Sequence, residues 1–300
     1  MNPDETEGSP VAQETSSWHR RLLGQQLRSL RTAAGLSAQA VAEHMQTSSA
    51  SWITRIEKGQ RGIQLRDVTR LLDLYQVGDE ATREDLLEMA RQVRQRGWWQ
   101  PYKTVLPERY VDYIGLEAAA SRIRNAELDV VPGLLQTEAY MRELLSHSMD
   151  VFSAEEVESR VKARLGRQSS VLNSQTQVEI LLDESVLHRV VGGPVLMCEQ
   201  LAHLARAGGE AGLTLRLLPF ERGTHAGFSG SVVLLDFATM APPVACIEHV
   251  AGTMFLEGAT DLEACNETWA YMGEWALSET DTLERLVEAA EAFEKKADQA

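Results

Sequence analysis

The sequence predicts an all-α domain of five helices followed by an α+β domain with a mainly antiparallel sheet. Three observations lead there. The chain has 300 residues, more than a single core usually holds. Over residues 18–96 apolar side chains recur at helical spacing, and no strand-like run interrupts them. Beyond residue 177 come runs rich in Val, Leu and Ile, the last three of them close together. A hydrophobic fraction of 44% is that of an ordinary globular protein.

Residues 1–17 hold Asp4, Glu5, Glu7 and Glu14 and no basic residue, so they read as a disordered acidic tail. The first domain is assigned to 18–96. Its first helix, 18–34, puts Leu23, Leu27 and Leu30 on a core stripe and Arg28 and Arg31 toward solvent. In 36–59, Ser37 can cap a second helix that carries Val41, Ala42 and Met45 on one face. Residues 46–48 break that pattern, and Ser48 or Ser49 can cap a third helix. There Ile53 and Ile56 point inward, while Ser51, Trp52 and Arg55 lie on the outer side. Gly59 is a natural stop. Helices at 65–77 and 82–96 complete the five.

Two short helices, the second with a polar outer face, form a helix-turn-helix, the unit that places a recognition helix in a DNA major groove. The segment resembles the repressor/Cro type, the xenobiotic-response-element class. Leu23-Gly24-Gln25-Gln26-Leu27-Arg28-Ser29-Leu30-Arg31, Ala34-Gly35-Leu36-Ser37 and Arg55-Ile56-Glu57-Lys58-Gly59 carry the resemblance, although the turn holds one residue more than the usual pattern. It implies double-stranded DNA as partner, a homodimer on the operator, and DNA contacts from Gln39, Ser49, Ala50, Ser51, Trp52, Thr54, Arg55, Lys58, Arg61 and Arg66.

A net charge of −15 opposes DNA binding, but its distribution does not. Residues 18–66 hold eight Lys/Arg against Glu43 and Glu57, which is +6 there and −21 elsewhere. The motif is therefore locally positive within a Debye length of about 8 Å. The acidic N-terminus is not a signal peptide and no apolar run has the length of a membrane span, so a cytoplasmic chain is expected. Cys198, Cys246 and Cys265 form no C-x-x-C pair, and no metal site or cofactor is expected.

Gly97-Trp98-Trp99-Gln100-Pro101-Tyr102 ends the helical domain, and 97–114 reads as an aromatic linker. Its tryptophans either pin the domains together or wall a ligand pocket with Tyr102 and Tyr140. The second domain, 115–300, opens with a helix over 116–128, which puts Glu117 and Arg124 on one face as a buried pair. Helices follow at 138–145, capped by Thr137, and at 154–172, 194–207, 262–276 and 280–296. Strands are expected at 178–182, 213–218, 231–237, 244–250 and 253–256, the last three as an antiparallel meander.

The second domain also resembles a family, through Arg96-Gly97-Trp98-Trp99, Tyr113-Ile114-Gly115-Leu116-Glu117, Val131-Pro132-Gly133-Leu134-Leu135-Gln136-Thr137, Val191-Gly192-Gly193-Pro194 and Leu217-Leu218-Pro219-Phe220 with His225. It is similar to the domain of unknown function that follows this helix-turn-helix in many actinobacterial regulators. The resemblance implies a transcriptional regulator whose second domain binds a small-molecule effector or a small partner protein. Trp98, Trp99, Glu117, Arg124, Gln136, Tyr140 and His225 are its candidate contacts. The sequence carries no G-x-S-x-G, P-loop, G-x-G-x-x-G or H-E-x-x-H, and Glu248 and His249 on one strand face opposite ways. A binding module is expected, with a fused enzyme of unknown reaction as the alternative.

Overall fold

The computed structural model describes residues 17–46, 49–94, 97–148, 152–224, 227, 230–238, 241–249 and 252–299. The chain forms two compact units, Met1–Arg96 and Gly97–Ala300. The expected acidic tail and His225 lie outside the described residues, Ser17 apart.

The first unit is helical: α1 (Ser17–Ala33), α2 (Ala38–His44), α3 (Ala50–Glu57), α4 (Leu65–Leu74) and α5 (Glu80–Arg94). Its core is the apolar stripe of each helix, with Leu23, Leu27, Val41, Ile53, Val68, Leu72 and Leu86 each at most 2% exposed. The Ser37 hydroxyl accepts from the backbone N–H of Ala40, capping α2. Ser49 occupies the N-cap position of α3. Past the end of α3, Gly59 turns the chain at φ +70°, a conformation that costs glycine little. Arg31 corrects the reading from periodicity. It does not face solvent but donates to both carboxylate oxygens of Glu57, at 2.6 and 3.1 Å, and to the carbonyl of Leu36 at 2.7 Å.

In the second unit α6 (Glu108–Ala119) leads into β1 (Arg122–Glu127). A loop, α7 (Glu138–Ser146) and α8 (Ala154–Leu172) follow. Then come β2 (Gln177–Asp183), the single turn α9 (Ser185–His188), α10 (Pro194–Ala207) and β3 (Leu213–Leu218). The chain closes with β4 (Val232–Asp236), β5 (Val244–His249), β6 (Gly252–Leu256), α11 (Ala259–Trp275) and α12 (Glu279–Ala297). The sheet is mixed and six-stranded, in the order β3-β2-β1-β4-β5-β6. β2 runs parallel to β1 and β3, which requires the helical crossovers through α7–α8 and α10. The other pairings are antiparallel, and β4-β5-β6 is the expected meander.

Of the helix expected over 116–128, residues 116–119 are helical as the end of α6, and β1 overturns the rest. Its sequence, Arg-Ile-Arg-Asn-Ala-Glu, is polar, but the strand lies inside the sheet and each charged side chain finds a partner across it. Arg122 pairs with Glu179 at 2.6 Å, Arg124 with Asp236 at 3.0 Å, and Glu127 accepts from Ser231 at 2.7 Å. Cross-strand partners here override intrinsic propensity. The expected Glu117–Arg124 pair therefore does not form. Glu117 ends α6 and pairs with Arg167, while Arg124 stands on a strand.

Residues 97–114 pack within the second unit. Trp98, Trp99 and Tyr102 lie against Leu106, Val111, Ile114 and Ala163, with the two indoles edge to face at 5.8 Å.

Candidate functional site

The first unit presents its polar surface along α3. Ile53, Ile56 and Glu57 are buried, which leaves Ser51 and Arg55 exposed. Ser49, Lys58, Arg61 and Arg66 are exposed too, and Ala50, Trp52 and Thr54 are partly so. Gln39 is exposed on α2 and donates to Glu43 at 2.9 Å. Thr54 is turned back onto its own helix, its hydroxyl donating to the carbonyl of Ala50 at 3.1 Å. Of the two acids counted near the motif, Glu57 is neutralised by Arg31 from inside. The ion pair thus leaves Glu57 buried and ties α1 to the end of α3.

In the second unit one face of the sheet closes on α11, through Ala126, Leu234 and Ala245. The other face opens into a cleft of about 450 Å³. Alternation along β1 places Asn125 and Glu127 on that side, two residues apart. Val233 of β4 is the register partner of both Asn125 and Cys246, so the three form a row across the cleft floor. Ser231, Glu248 and His249 also border it. The facing wall is the loop 129–136 with Arg164 and Arg167 of α8.

That loop is fixed by three buried or half-buried amides and a phenol. Gln168 donates to the carbonyls of Gly133 and Gln136, at 2.9 and 2.8 Å. Gln200 donates to the carbonyl of Leu135 and accepts from the N–H of Thr137. Tyr140 is fully buried and its hydroxyl accepts from the N–H of Val131 at 3.3 Å. Gln136 donates from Nε2 to the carbonyl of Val131 at 2.7 Å, which sets the orientation of its amide. Its Oε1 and the Oδ1 of Asn125 are buried without a protein partner. An unpaired buried acceptor costs about 1–3 kcal/mol, so two beside one cleft mark it as a place for an external donor.

Behind the wall lies a buried ionic cluster. Arg167 donates to Glu117 at 2.5 and 2.8 Å, to Tyr113 at 3.1 Å and to Tyr110 at 3.4 Å, and Tyr113 donates to Glu117 at 3.1 Å. Burial alone would lower the guanidinium pKa, but Glu117 and the two phenols overcome it and raise it well above its ordinary value. Glu127 behaves differently. Burial pushes its carboxyl up to about 7; the Ser231 hydroxyl opposes this, and the charges of Glu248 and Asp129 add to it. Burial likewise raises the Cys246 thiol well above its usual range.

Residues 110–288 match the family model described as a domain of unknown function, DUF5753. The chain belongs to the DUF5753 family. Residues 22–86 match a helix-turn-helix domain model. No curated protein and no solved structure matches the chain. Among the described residues no helix is long and apolar enough to cross a membrane.

Among the described residues, Gln136 is the one expected contact of the second unit that lines the cleft. Glu117 stands behind it, through Arg167, and Arg124 is on the opposite face of β1 beside Asn266 and Asp236. Tyr140 braces the loop from within, and Trp98 borders a separate shallow depression with Tyr102 and Ser169. Trp99 packs in the apolar cluster beside it. Asn125, Glu127, Ser231 and Arg164 were not anticipated. Reading 122–127 as helix hides the period of two that brings Asn125 and Glu127 together.

Proposed function

We propose that the chain is a sequence-specific transcriptional regulator of the repressor/Cro type. It reads double-stranded DNA with α3 as a homodimer, and its DUF5753 domain binds an effector. The observation that carries the reading is the exposed side of α3, with Ser51 and Arg55 outward and Lys58, Arg61 and Arg66 exposed beyond it. This is the division of labour of a recognition helix, in which a few side chains reach base edges and flanking cations hold phosphates. A small molecule is preferred to a small partner protein because the DUF5753 domain offers a concave cleft with unsatisfied polar groups. A binding module is preferred to an enzyme. The Ser231 hydroxyl is already engaged with Glu127 and the N–H of Leu128, and burial suppresses the thiolate of Cys246.

Arg55→Ala is expected to cost about 1–3 kcal/mol of operator affinity and to relax preference at one base position. Lys58→Ala and Arg66→Ala should weaken all sequences alike and reduce the salt slope by about 1 each. Footprinting and salt titration separate the two classes, and an unchanged footprint in Arg55→Ala would refute the assignment of α3. One module reads few base pairs, so two protomers per operator are expected, at half-sites about 34 Å apart. Sedimentation showing one protomer at saturation would reject the dimer.

A further inference from the structure

We propose that the cleft of the DUF5753 domain binds a small organic cation with several N–H donors, an amine or a guanidinium. Gln136, Asn125 and Glu127 would receive those donors. The proposal rests on reading this domain as a binding module and adds the chemistry of its ligand.

Three features point the same way. The first is the orientation of Gln136. Its Nε2 is spent on the carbonyl of Val131, so the atom left over is the oxygen, an acceptor. Asn125 supplies a second buried oxygen without a protein partner, from the β1 strand. Two orphan acceptors ask for donors, and an anion has none to give.

The second feature is the charge around the cleft. Glu127, Asp129 and Glu248 border it with the guanidinium of Arg164, and Asp129 is paired with Arg189 at 3.5 Å, which leaves Glu127 and Glu248 facing the cleft. Arg167 adds no net charge, because Glu117 neutralises it at 2.5 and 2.8 Å. An anion entering here would meet the carboxyl groups of Glu127 and Glu248, whereas a cation would be held by them. The third feature is Glu127 itself. Burial lifts its carboxyl to about 7, with Glu248 and Asp129 contributing, so at neutral pH it is close to half protonated when the cleft holds no cation. A docked cation favours the ionised form, so at pH 7 binding releases about half a proton.

The sign of the pH dependence follows. Below pH 7 a proton competes with the cation for Glu127; above it the carboxylate is free to pair. With a carboxyl near 7, a ligand that pairs only with the ionised form should bind about tenfold more tightly at pH 8 than at pH 6. His249 also stands at the rim, so the variant of Glu127 is needed to assign the effect. The helices facing the cleft add Arg164, Arg167, Tyr110 and Tyr113; Glu117 holds the Arg167 guanidinium well above its ordinary value despite burial, and burial raises the Tyr113 phenol.

The test uses the full chain with agmatine and 1,4-diaminobutane as probes, which stay cationic over this range. Succinate and 1,4-butanediol serve as anionic and neutral controls of similar length. Calorimetry is expected to show binding of a cation probe, tighter at pH 8 than at pH 6, and no binding of the controls. Glu127→Gln should lose about tenfold in affinity at pH 8 and most of the pH dependence. Glu248→Gln, an exposed position whose change should not disturb folding, is expected to lose about threefold. Failure of both cations to bind, tighter binding of succinate, or equal affinity in wild type and both variants would overturn the proposal. Operator binding is measured on the same samples. If DNA binds and no cation does, the ligand class falls and the regulator stands. If a cation binds as expected but DNA does not, the regulator falls and the cation site stands.

Discussion

Arg167→Met is expected to destabilise the second unit by about 3–5 kcal/mol, the usual cost of breaking a buried ion pair by removing one partner. Glu117 is 1% exposed and Arg167 8%, so neither charge has water to fall back on. Methionine fills much of the volume of the guanidinium side chain and preserves packing. What it removes is the compensation for a carboxylate already out of solvent, together with the donors held by Tyr113 and Tyr110. An exposed pair would cost under about 1 kcal/mol, and that difference decides between a structural and an incidental role. The double variant Glu117→Leu/Arg167→Met removes both charges and should be more stable than Arg167→Met alone, because no unpaired ion remains. Urea unfolding followed by circular dichroism on the three chains gives the comparison. A loss below about 1 kcal/mol in Arg167→Met would show that the cluster does not hold the wall of the cleft.

The helices and the outer strands of this molecule were legible because their patterns are strong. Residues 194–207 read as a helix with Pro194 at its start, and α10 spans Pro194–Ala207. Thr137 caps α7 and Ser37 caps α2, as short hydroxyl residues before an apolar repeat imply. The meander of β4, β5 and β6 followed from three β-rich runs with short connections. What sequence could not show was a partner distant along the chain. β1 is polar, and its identity as a strand depends on Glu179, Ser231 and Asp236, which lie 57, 104 and 112 residues from the groups they meet. Arg167 meets Glu117 across 50 residues for the same reason. The cleft is assembled from β1 and those distant elements, so its residues stayed hidden while α3, formed from one continuous segment, was readable down to Ser51 and Arg55.

Gly24→Ala is expected to disable DNA binding while leaving the second unit folded. A β-carbon at this position in α1 would lie 2.3 Å from the carbonyl oxygen of Ile56 and 2.7 Å from that of Glu57. Both are backbone atoms at the end of α3, so no side-chain rotation relieves the clash. Alanine would gain about 0.8–1.0 kcal/mol of helix propensity over glycine in an open helix. Here overpacking against rigid backbone costs about 1–3 kcal/mol or more, and the two helices must separate to absorb it. Separation strains the contact between Arg31 and Glu57, whose 2.6 Å bond spans the same two helices. Because α3 is the proposed reading helix, a shift of its end moves Arg55 and Lys58 relative to the groove. Operator affinity is expected to fall at least tenfold. Hydrogen exchange should show faster opening of 17–74 and unchanged protection of β2 and β3, which localises the damage. Gly78→Ala is the control. Nothing lies within 4 Å of the β-carbon it adds, and its stability should stay within about 0.5 kcal/mol of the parent. Operator binding by Gly24→Ala equal to that of Gly78→Ala would mean that the close approach of α1 to α3 does not position the reading helix.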